Sequence, residues 1–262
     1  MIIDFHTHIY PDRIADKAVL SIGSFYGTQM CQRGTLDDLI RTMDEAGVEK
    51  SVICSAAVDG EHVRKVNDFI LAAAHAFPDR LIGYGTLHPN MKDAYAEAEY
   101  ILSSGLRGVK FHPDMQHFSL CEDRTEPLYA ACEGKLPLLI HTGDRRYHYS
   151  NPEQIPPILS RHPGLTLICA HLGGYSEWDR AEACLINTNV LVDCSSSFFC
   201  LSPGEALRLI RLYGADRVLF GSDYPMWNMK KELENLFSLG LTPDETENIL
   251  HRNAEKLLGL LP

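Results

Sequence analysis

Four histidines and one aspartate follow short apolar runs in this chain and could together bind a metal ion. They are His6 and His8 in "DFHTH", His141 in "LIHTGD", His171 in "CAHLGG" and Asp223 in "FGSDYP". Neutral imidazole and carboxylate are good zinc ligands, and a catalytic zinc site keeps one position for water. The H-x-H pair alone is weak evidence, because 12 histidines in 262 residues give such a pair by chance in roughly half of chains. The metal interpretation therefore depends on the elements that carry these residues.

Short β-branched runs alternate with helical patterns eight times along the chain. Most of the runs are apolar throughout, as is typical of parallel strands that are covered on both faces. The predicted strands are Ile2–His8, Ser51–Ala56, Leu81–Thr86, Gly108–His112, Leu136–Thr142, Leu165–His171, Val190–Ser195 and Arg217–Ser222.

The segments between these runs have the apolar spacing and the end signals of amphipathic helices. In "TLDDLIRTMDEAG", Thr35 is a candidate N-cap and Gly47 a C-terminal stop. In the last pattern, Thr242 is a candidate cap and Pro243 occupies the first helical position. Further helical patterns cover Val63–Phe77, Tyr95–Leu102 and Glu205–Tyr213.

Eight β-then-α repeats favour an α/β fold of the (β/α)8 TIM-barrel type, formed by residues 1–262 as a single domain. A doubly wound open sheet is the alternative, although no G-x-G-x-x-G motif supports it. About 25 residues separate the first strand from Thr35, so we expect a long first βα loop that acts as a lid or binding loop.

In TIM-barrel enzymes the active site lies at the C-terminal ends of the strands, where the candidate ligands stand in this sequence. His6 and His8 are two residues apart, so in a strand both point to the same side. We expect His141, His171 and Asp223 to approach that side from other strands.

Composition limits the classes of partner. The net charge is 24 − 35 = −11, which argues against binding to nucleic acid or to an anionic membrane surface. Eight cysteines without a C-x-x-C motif, mostly in apolar stretches, indicate reduced thiols. No signal peptide and no apolar run of ~18 residues is present, so we expect a cytoplasmic protein with a small-molecule substrate. A homodimer is left open.

Six motifs resemble the amidohydrolase superfamily, and more narrowly its amidohydrolase-related branch of TIM-barrel metal-dependent hydrolases and decarboxylases. They are "DFHTH", "GVKFHP", "HTGD", "AHLGG", "RVLFGSDYPM" and "RNAEKLLG", and they keep their order from Met1 to about Leu258. The resemblance implies one divalent ion, with Zn²⁺ expected and Mn²⁺ as the alternative. It also implies the ligands His6, His8, His141 and Asp223.

In that branch, the position that matches His171 holds and helps to deprotonate the metal-bound water. Asp223 can then pass the proton to a leaving group. Lys110 is open to three interpretations: a cation near the substrate, a lysine paired with a nearby acid, or a carboxylated bridge to a second metal. In the last case His141 and His171 would bind the second ion.

Candidate substrate contacts follow from residue chemistry. Arg145 and Arg146 come directly after "HTGD", where a guanidinium could hold a substrate carboxylate, although exposed loop arginines are common. Tyr26 and Trp227 could line an apolar wall, or they could simply pack in the fold.

The sequence leaves more than one function open. Hydrolysis of an amide, ester or lactone in a small carboxylate-bearing molecule is the first hypothesis. Non-oxidative decarboxylation of an unsaturated or aromatic carboxylic acid is the second, because the same branch contains such enzymes. A TatD-like deoxyribonuclease and a non-catalytic metal-binding barrel are the remaining alternatives, and the acidic charge disfavours the nuclease.

Overall fold

The computed structural model describes residues 1–260, so Leu261 and Pro262 of the predicted domain lie outside the described residues. Contacts group the chain into two compact units, and each unit is assembled from separate segments. Unit 1 contains Met1–Cys54, Ala73–Ile82 and residues 194–260. Unit 2 contains Ser55–Ala72 and Gly83–Asp193. Within residues 1–260, no helix has both the length and the apolar character needed to cross a membrane.

Strands and helices alternate along most of the described chain. In chain order the elements are β1 (Ile3–His8), α1 (Asp12–Tyr26), α2 (Leu36–Ala46), β2 (Lys50–Cys54), α3 (Val63–Ala76), β3 (Leu81–Gly83), β4 (Gly85–Thr86), α4 (Ala94–Ser104), β5 (Val109–Phe111), α5 (Pro113–Gln116), α6 (Glu126–Cys132), β6 (Leu138–Ile140), α7 (Ile155–Arg161), β7 (Leu167–Cys169), α8 (Trp178–Leu185), β8 (Leu191–Asp193), α9 (Pro203–Tyr213), β9 (Val218–Leu219), α10 (Met229–Phe237), α11 (Pro243–Glu247) and α12 (Asn253–Leu258).

The strands within each unit are parallel. In unit 1, β1 pairs with β2, with Ile3 opposite Lys50 and His8 opposite Cys54. In unit 2, β4, β5, β6, β7 and β8 pair in sequence order, each parallel to the next. Their side chains are almost all buried, which agrees with the apolar runs in the sequence. The alternation of parallel strands with helices confirms the α/β class.

Each predicted strand overlaps an observed one, but the observed strands are shorter, and β2 begins one residue before the predicted strand Ser51–Ala56. The predicted strand Leu81–Thr86 is divided into β3 and β4, with Tyr84 between them. Tyr84 is fully buried, and a Cβ added to Gly108 would lie 2.4 Å from its ring. The close approach of this ring to the backbone at Gly108 explains why a glycine precedes β5.

The long connection after β1 is present, but it is not an open loop, because the helix α1 occupies more than half of it. Pro11 precedes the helix and Gly27, at φ 65°, ends it in the left-handed conformation. The backbone at Gly23 approaches Thr28 so closely that a Cβ would lie 2.6 Å from the Thr28 carbonyl oxygen. Apolar residues of α1 such as Leu20 are exposed, so the helical spacing was masked by an irregular apolar pattern.

The predicted caps of α2 and α11 are confirmed. The Thr35 hydroxyl accepts from the backbone N–H of Asp38, and Gly47 ends α2 at φ 72°. Thr242 forms a capping box with Glu245, with Pro243 in the first turn.

The last helical pattern is not one helix, because a π-helical turn over Asn248–Arg252 separates α11 from α12. The turn leaves the Ile249 carbonyl available, and this carbonyl accepts from the backbone N–H of Phe220 at 2.9 Å. The Asn253 amide donates to the carbonyls of Ala215 and Val218, both at 2.7 Å. These bonds anchor the C-terminal helices to β9, the strand that leads to Asp223.

Candidate functional site

Three predicted ligands meet in unit 1, and we call them the His6 group: His6, His8 and Asp223. His6 and His8 lie on β1, and Asp223 lies four residues after β9. The Nε2 atoms of the two histidines are 3.1 Å apart. Asp223 Oδ1 lies 3.6 Å from His6 Nε2 and 3.4 Å from His8 Nε2. His6 is fully buried and Asp223 is nearly so.

These separations fit a shared metal ion. Ligand atoms ~2.0–2.2 Å from one ion lie roughly 2.8–3.6 Å from one another in tetrahedral or octahedral geometry. The two imidazole rings are inclined at 61°, so their lone pairs lie in different planes and can converge on one point. Two imidazole nitrogens and a carboxylate oxygen suit Zn²⁺ or Mn²⁺. The His6 group therefore has the donor set and the spacing of a divalent-metal site.

Each histidine makes a further contact through its Nδ1 atom. The hydroxyl of Ser195 lies 3.0 Å from His6 Nδ1, and Cys54 Sγ lies 3.5 Å from His8 Nδ1. Such contacts to the remote ring nitrogen fix the orientation of a metal-binding imidazole. Asp4, also buried, accepts from the backbone N–H of His6 at 3.1 Å and of Ser222 at 3.0 Å. The β1 end and the segment that carries Asp223 are thereby joined.

Asp223 is held through a serine and a tryptophan. The Ser196 hydroxyl donates to Asp223 Oδ2 at 2.5 Å, and the Trp227 indole N–H donates to Ser196 Oγ at 2.7 Å. Both Ser196 and Asp223 have left-handed backbone conformations, at φ 47° and φ 56°. Non-glycine residues adopt this region uncommonly, and at functional sites the surrounding structure maintains it.

Two other predicted site residues meet in unit 2, and we call them the His141 group: His141 and His171. His141 Nδ1 and His171 Nε2 are 2.9 Å apart, and the two rings are inclined at 66°. Both residues are buried, and the Tyr175 ring lies 5.5 Å from each imidazole. Asp193 Oδ1 accepts from the backbone N–H of His171, and the Trp178 indole donates to the His171 carbonyl at 2.9 Å.

The glycines of "HTGD" and "HLGG" allow the loops after β6 and β7 to pack together. Gly143 has φ 88°, and a Cβ there would lie 2.5 Å from the Cα of Gly174. Backbone bonds join the same loops, since Tyr175 N–H donates to Thr142 and Ser176 N–H donates to Gly143. A side chain at Gly143 would separate the loops that carry His141 and His171.

A further cluster in unit 2 contains His112, Asp114 and His141, all buried. The rings of His112 and His141 are stacked, with centroids 4.1 Å apart and an interplanar angle of 11°. Each imidazole lone pair lies in the plane of its own ring, and two nearly parallel, separated planes do not meet at one ion. We therefore assign no metal to this cluster.

Asp114 nevertheless has an unusual environment. Its Oδ2 lies 3.8 Å from His141 Nε2 and accepts from Ser150 at 2.5 Å, while its buried Oδ1 makes no hydrogen bond. Burial raises the pKa of Asp114 to about 7, and the charge of Asp144 adds to this rise. Asp114 was not among the residues singled out from the sequence.

Both predicted substrate-binding arginines bind partners within unit 2. Arg146 forms a two-pronged ion pair with the buried Asp144, with Nε–Oδ1 at 2.9 Å and Nη2–Oδ2 at 2.6 Å. The Arg145 guanidinium donates to the carbonyl of Ser176. Their role toward a substrate stays a prediction.

The remaining predicted contacts lie in different environments. Lys110, on β5, is fully buried, which is rare for lysine. Tyr26 ends α1, with its ring 4.9 Å from that of Phe25. Trp227 stacks on the half-exposed Phe199, with centroids 5.2 Å apart, in addition to its bond to Ser196.

Sequence reasoning missed the residues that support the ligands, chiefly Ser195, Ser196 and Trp178. The signal was present in "DCSSS", where three consecutive hydroxyls follow β8 in a buried segment. Buried hydroxyls require partners, but the sequence does not say which partners they have.

Solved structures resemble this chain over nearly its whole length. An uncharacterized TIM-barrel protein of Bordetella bronchiseptica is 26% identical, with a TM-score of 0.79 and 98% of each chain covered. A 5-carboxyvanillate decarboxylase of Novosphingobium aromaticivorans, solved with bound manganese and 3-methoxy-4-hydroxy-5-nitrobenzoic acid, is 19% identical, with a TM-score of 0.78 and coverage of 99% and 97%. A dihydroxybenzoic acid decarboxylase of Polaromonas sp., solved with manganese and the inhibitor 2-nitroresorcinol, is 17% identical, with a TM-score of 0.74 and the same coverage.

These likenesses confirm the predicted TIM-barrel fold. No curated protein matches the chain. The amidohydrolase family model matches residues 3–260, in agreement with the motifs quoted above. The chain therefore belongs to the amidohydrolase family.

Proposed function

We propose that this protein is a metal-dependent hydrolase that activates water to cleave an amide, ester or lactone bond in a small carboxylate-bearing molecule. The observation that carries the proposal is the spacing of the His6 group, with donor atoms 3.1, 3.4 and 3.6 Å apart. Membership of the amidohydrolase family supports the reaction class.

In this proposal His6, His8 and Asp223 hold one divalent ion. The fourth ligand, His141, is assigned from the family motif. A bound divalent ion would lower the pKa of a coordinated water toward ~7 and supply a nucleophile at neutral pH. Zn²⁺ is the first candidate, and Mn²⁺ is supported by the manganese bound in the two decarboxylase structures.

The side chains have separate tasks. Asp223 receives the proton of the attacking water and delivers it to the leaving group. His171 is proposed to hold that water and to help deprotonate it. Lys110, Arg145, Arg146, Tyr26 and Trp227 are the proposed substrate contacts, of which the cationic ones would attract a substrate carboxylate.

Non-oxidative decarboxylation of an aromatic or unsaturated carboxylic acid is the second candidate. The observation that favours it is that solved structures with TM-scores of 0.78 and 0.74 are decarboxylases of aromatic acids. In that reaction the metal and a nearby cation would hold the carboxylate, and a protein acid would protonate the ring carbon as carbon dioxide leaves.

One assay separates the two candidates. The metal-loaded protein is incubated with lactones, esters, amides, and aromatic and unsaturated carboxylic acids, while pH change and released carbon dioxide are recorded together. Without carbon dioxide, acid release from an ester or lactone, or release of ammonia or an amine from an amide, supports the hydrolase. Carbon dioxide from a carboxylic acid supports the decarboxylase. His8→Ala should abolish either activity, whereas His75→Ala, an exposed histidine near the end of α3, should leave it unchanged.

Metal content tests the centre itself. Elemental analysis should give close to one divalent ion per chain, and His8→Ala should lose it. Two ions per chain would contradict the mononuclear proposal and favour a second site at Lys110 and His171. No ion in carefully prepared wild-type protein, and none taken up on titration, would refute the proposed function.

A further inference from the structure

We propose that Ser196 is a positioning residue that selects which oxygen of Asp223 faces the metal site, and that Trp227 fixes the direction of the Ser196 hydroxyl. The inference rests on the proposed function in one respect, which is that Asp223 is a metal ligand. In this assignment Ser196 acts through Asp223.

The directions of the two hydrogen bonds follow from their donors. The Trp227 indole N–H is a donor only, so in the 2.7 Å contact Ser196 Oγ must accept. The one hydroxyl proton of Ser196 is then directed to Asp223 Oδ2, 2.5 Å away. An ionised carboxylate is an acceptor only, so this order of donors is fixed from the indole to Asp223.

As a consequence, the two carboxylate oxygens of Asp223 face different partners. Oδ2 is engaged by Ser196, while Oδ1 lies 3.6 and 3.4 Å from the Nε2 atoms of His6 and His8. A carboxylate held in this way presents one oxygen to an ion, rather than two. Removing a hydrogen bond of this type from a metal ligand commonly lowers metal affinity or activity by roughly 10- to 100-fold.

The protein maintains this arrangement at a conformational cost. Ser196 is nearly fully buried and has φ 47°. The Phe199 ring stacks on the Trp227 indole at an angle of 20°, so it holds the indole at the distance that Ser196 requires. This gives Trp227 a role in addition to its proposed contact with the substrate.

The experiment is a Mn²⁺ titration of metal-stripped full-length protein, followed by the electron paramagnetic resonance signal of free Mn²⁺. We expect Ser196→Ala to raise the dissociation constant about 10-fold or more. Ser196→Gly should weaken binding as much as Ser196→Ala, although glycine relieves the positive φ, because both variants lack the hydroxyl. Ser197→Ala is the matched control, since that hydroxyl is also buried but donates to the Ser195 carbonyl.

Trp227 is tested by a double-mutant cycle. Trp227→Phe keeps an aromatic ring against Phe199 and removes the indole N–H, so we expect a smaller loss of Mn²⁺ affinity than for Ser196→Ala. In the Ser196→Ala background, Trp227→Phe should have almost no further effect on affinity. Additive losses would contradict action through Ser196.

The outcomes separate this inference from the proposed function. If wild type binds Mn²⁺, His8→Ala does not, and Ser196→Ala binds within twofold of wild type, the positioning role is refuted and the metal centre stands. If Ser196→Gly regains wild-type affinity, backbone strain rather than the hydroxyl is responsible, and the inference is again refuted. If wild type takes up neither Mn²⁺ nor, in a parallel titration, Zn²⁺, both proposals fail. Equal melting temperatures of the metal-free variants exclude misfolding as the cause.

Discussion

At the scale of single residues, Asp223 is the most constrained ligand of the His6 group. Its Oδ1 faces two imidazole nitrogens, its Oδ2 accepts from Ser196, and its backbone N–H donates to the His6 carbonyl at 2.9 Å. A positive φ is tolerated there because these contacts hold the residue. Its charge and its shape can therefore be tested separately.

Asp223→Asn should keep the shape of the side chain while removing its charge and its ability to take up a proton. We expect turnover to fall by about 10²–10⁴-fold, which is the usual contribution of a general acid–base group. The melting temperature of the metal-free protein should change by only a few degrees. The matched control is Asp216→Asn at an exposed position in unit 1, and full activity in Asp223→Asn would contradict the proton-transfer role.

The ligands themselves could be predicted from the sequence, whereas their supports could not. His6 and His8 share one side of β1 because alternate strand residues do so, and that rule needs no tertiary information. Ser196 and Trp227 are 31 residues apart, and their contact depends on how the segments after β8 and β9 fold. Local patterns contain no information on such a distance.

At the scale of elements, the loop after β6 is stabilised by the pair formed by Arg146 and Asp144. Asp144 is 1% exposed, whereas the Arg146 side chain is 37% exposed, so solvent screens only one end of the pair. Truncating the arginine leaves a buried carboxylate without its cation, and the backbone bond from Arg146 does not replace that charge.

Arg146→Ala should therefore lower the free energy of unfolding by about 1–3 kcal/mol, a value reduced from that of fully buried pairs because Arg146 is partly exposed. Arg145→Ala, whose guanidinium donates to a backbone carbonyl at the surface, should lower it by less than about 1 kcal/mol. Urea unfolding measures both. If KM for an anionic substrate rises only in Arg145→Ala, the substrate role belongs to Arg145, and no change in either variant removes both arginines from the site.

Helix α10 contains a buried glutamate whose carboxyl group has few hydrogen-bond partners. Glu232 is 5% exposed, and its Oε1 accepts from Asn235 at 3.1 Å while the buried Oε2 makes no hydrogen bond. Burial raises the pKa of Glu232 to about 7, and the charges of Asp223 and Asp4 contribute to the rise. The unfolded chain, with an ordinary glutamate pKa of ~4.3, releases this proton at a lower pH than the folded protein does.

The folded state consequently binds more protons than the unfolded state between about pH 4.3 and 7, so the free energy of unfolding falls as pH rises through this range. Glu232→Gln should remove the fall and make the metal-free protein more stable at pH 8, by up to about 3 kcal/mol, with little effect at pH 4. Thermal melts at a series of pH values check this. Glu234→Gln, on the exposed face of α10, is the control and should leave the pH profile of stability unchanged.

Helix ends were easier to predict than helix continuity. Thr35, Gly47 and Thr242 act within one turn of the chain, so their sequence signals were sufficient. The π-helical turn over Asn248–Arg252 could not be predicted, because the hydrogen bond that its Ile249 carbonyl accepts comes from the distant Phe220. Helix α1 was missed since its apolar residues are partly exposed and do not form one clear stripe.

At the scale of the whole molecule, the chain alternates between its two units rather than completing one before the other. Unit 1 uses three segments and unit 2 uses two. Both α3 (Val63–Ala76) and β3 (Leu81–Gly83) contribute residues to both units. One helix and one strand are therefore divided between the two units.

We expect the single domain predicted from the sequence to unfold in one cooperative transition. Differential scanning calorimetry of the metal-free protein should give a calorimetric enthalpy close to the van't Hoff enthalpy. Two resolved transitions, or a calorimetric enthalpy well above the van't Hoff value, would show independent units and contradict the single-domain prediction. The TIM-barrel fold itself was predictable, because eight repeats of one strand and one helix are visible without any long-range information.

The chain has two tryptophans, and the described hydrogen bonds attach each of them to a different group of site residues. Trp227 donates to Ser196, which holds Asp223 in unit 1, and Trp178 donates to the His171 carbonyl in unit 2. Indole emission responds to its hydrogen bond and to nearby paramagnetic ions. Trp178→Phe and Trp227→Phe would thus give single-tryptophan proteins, whose indole emission reports separately on the His6 group and the His141 group without an added dye.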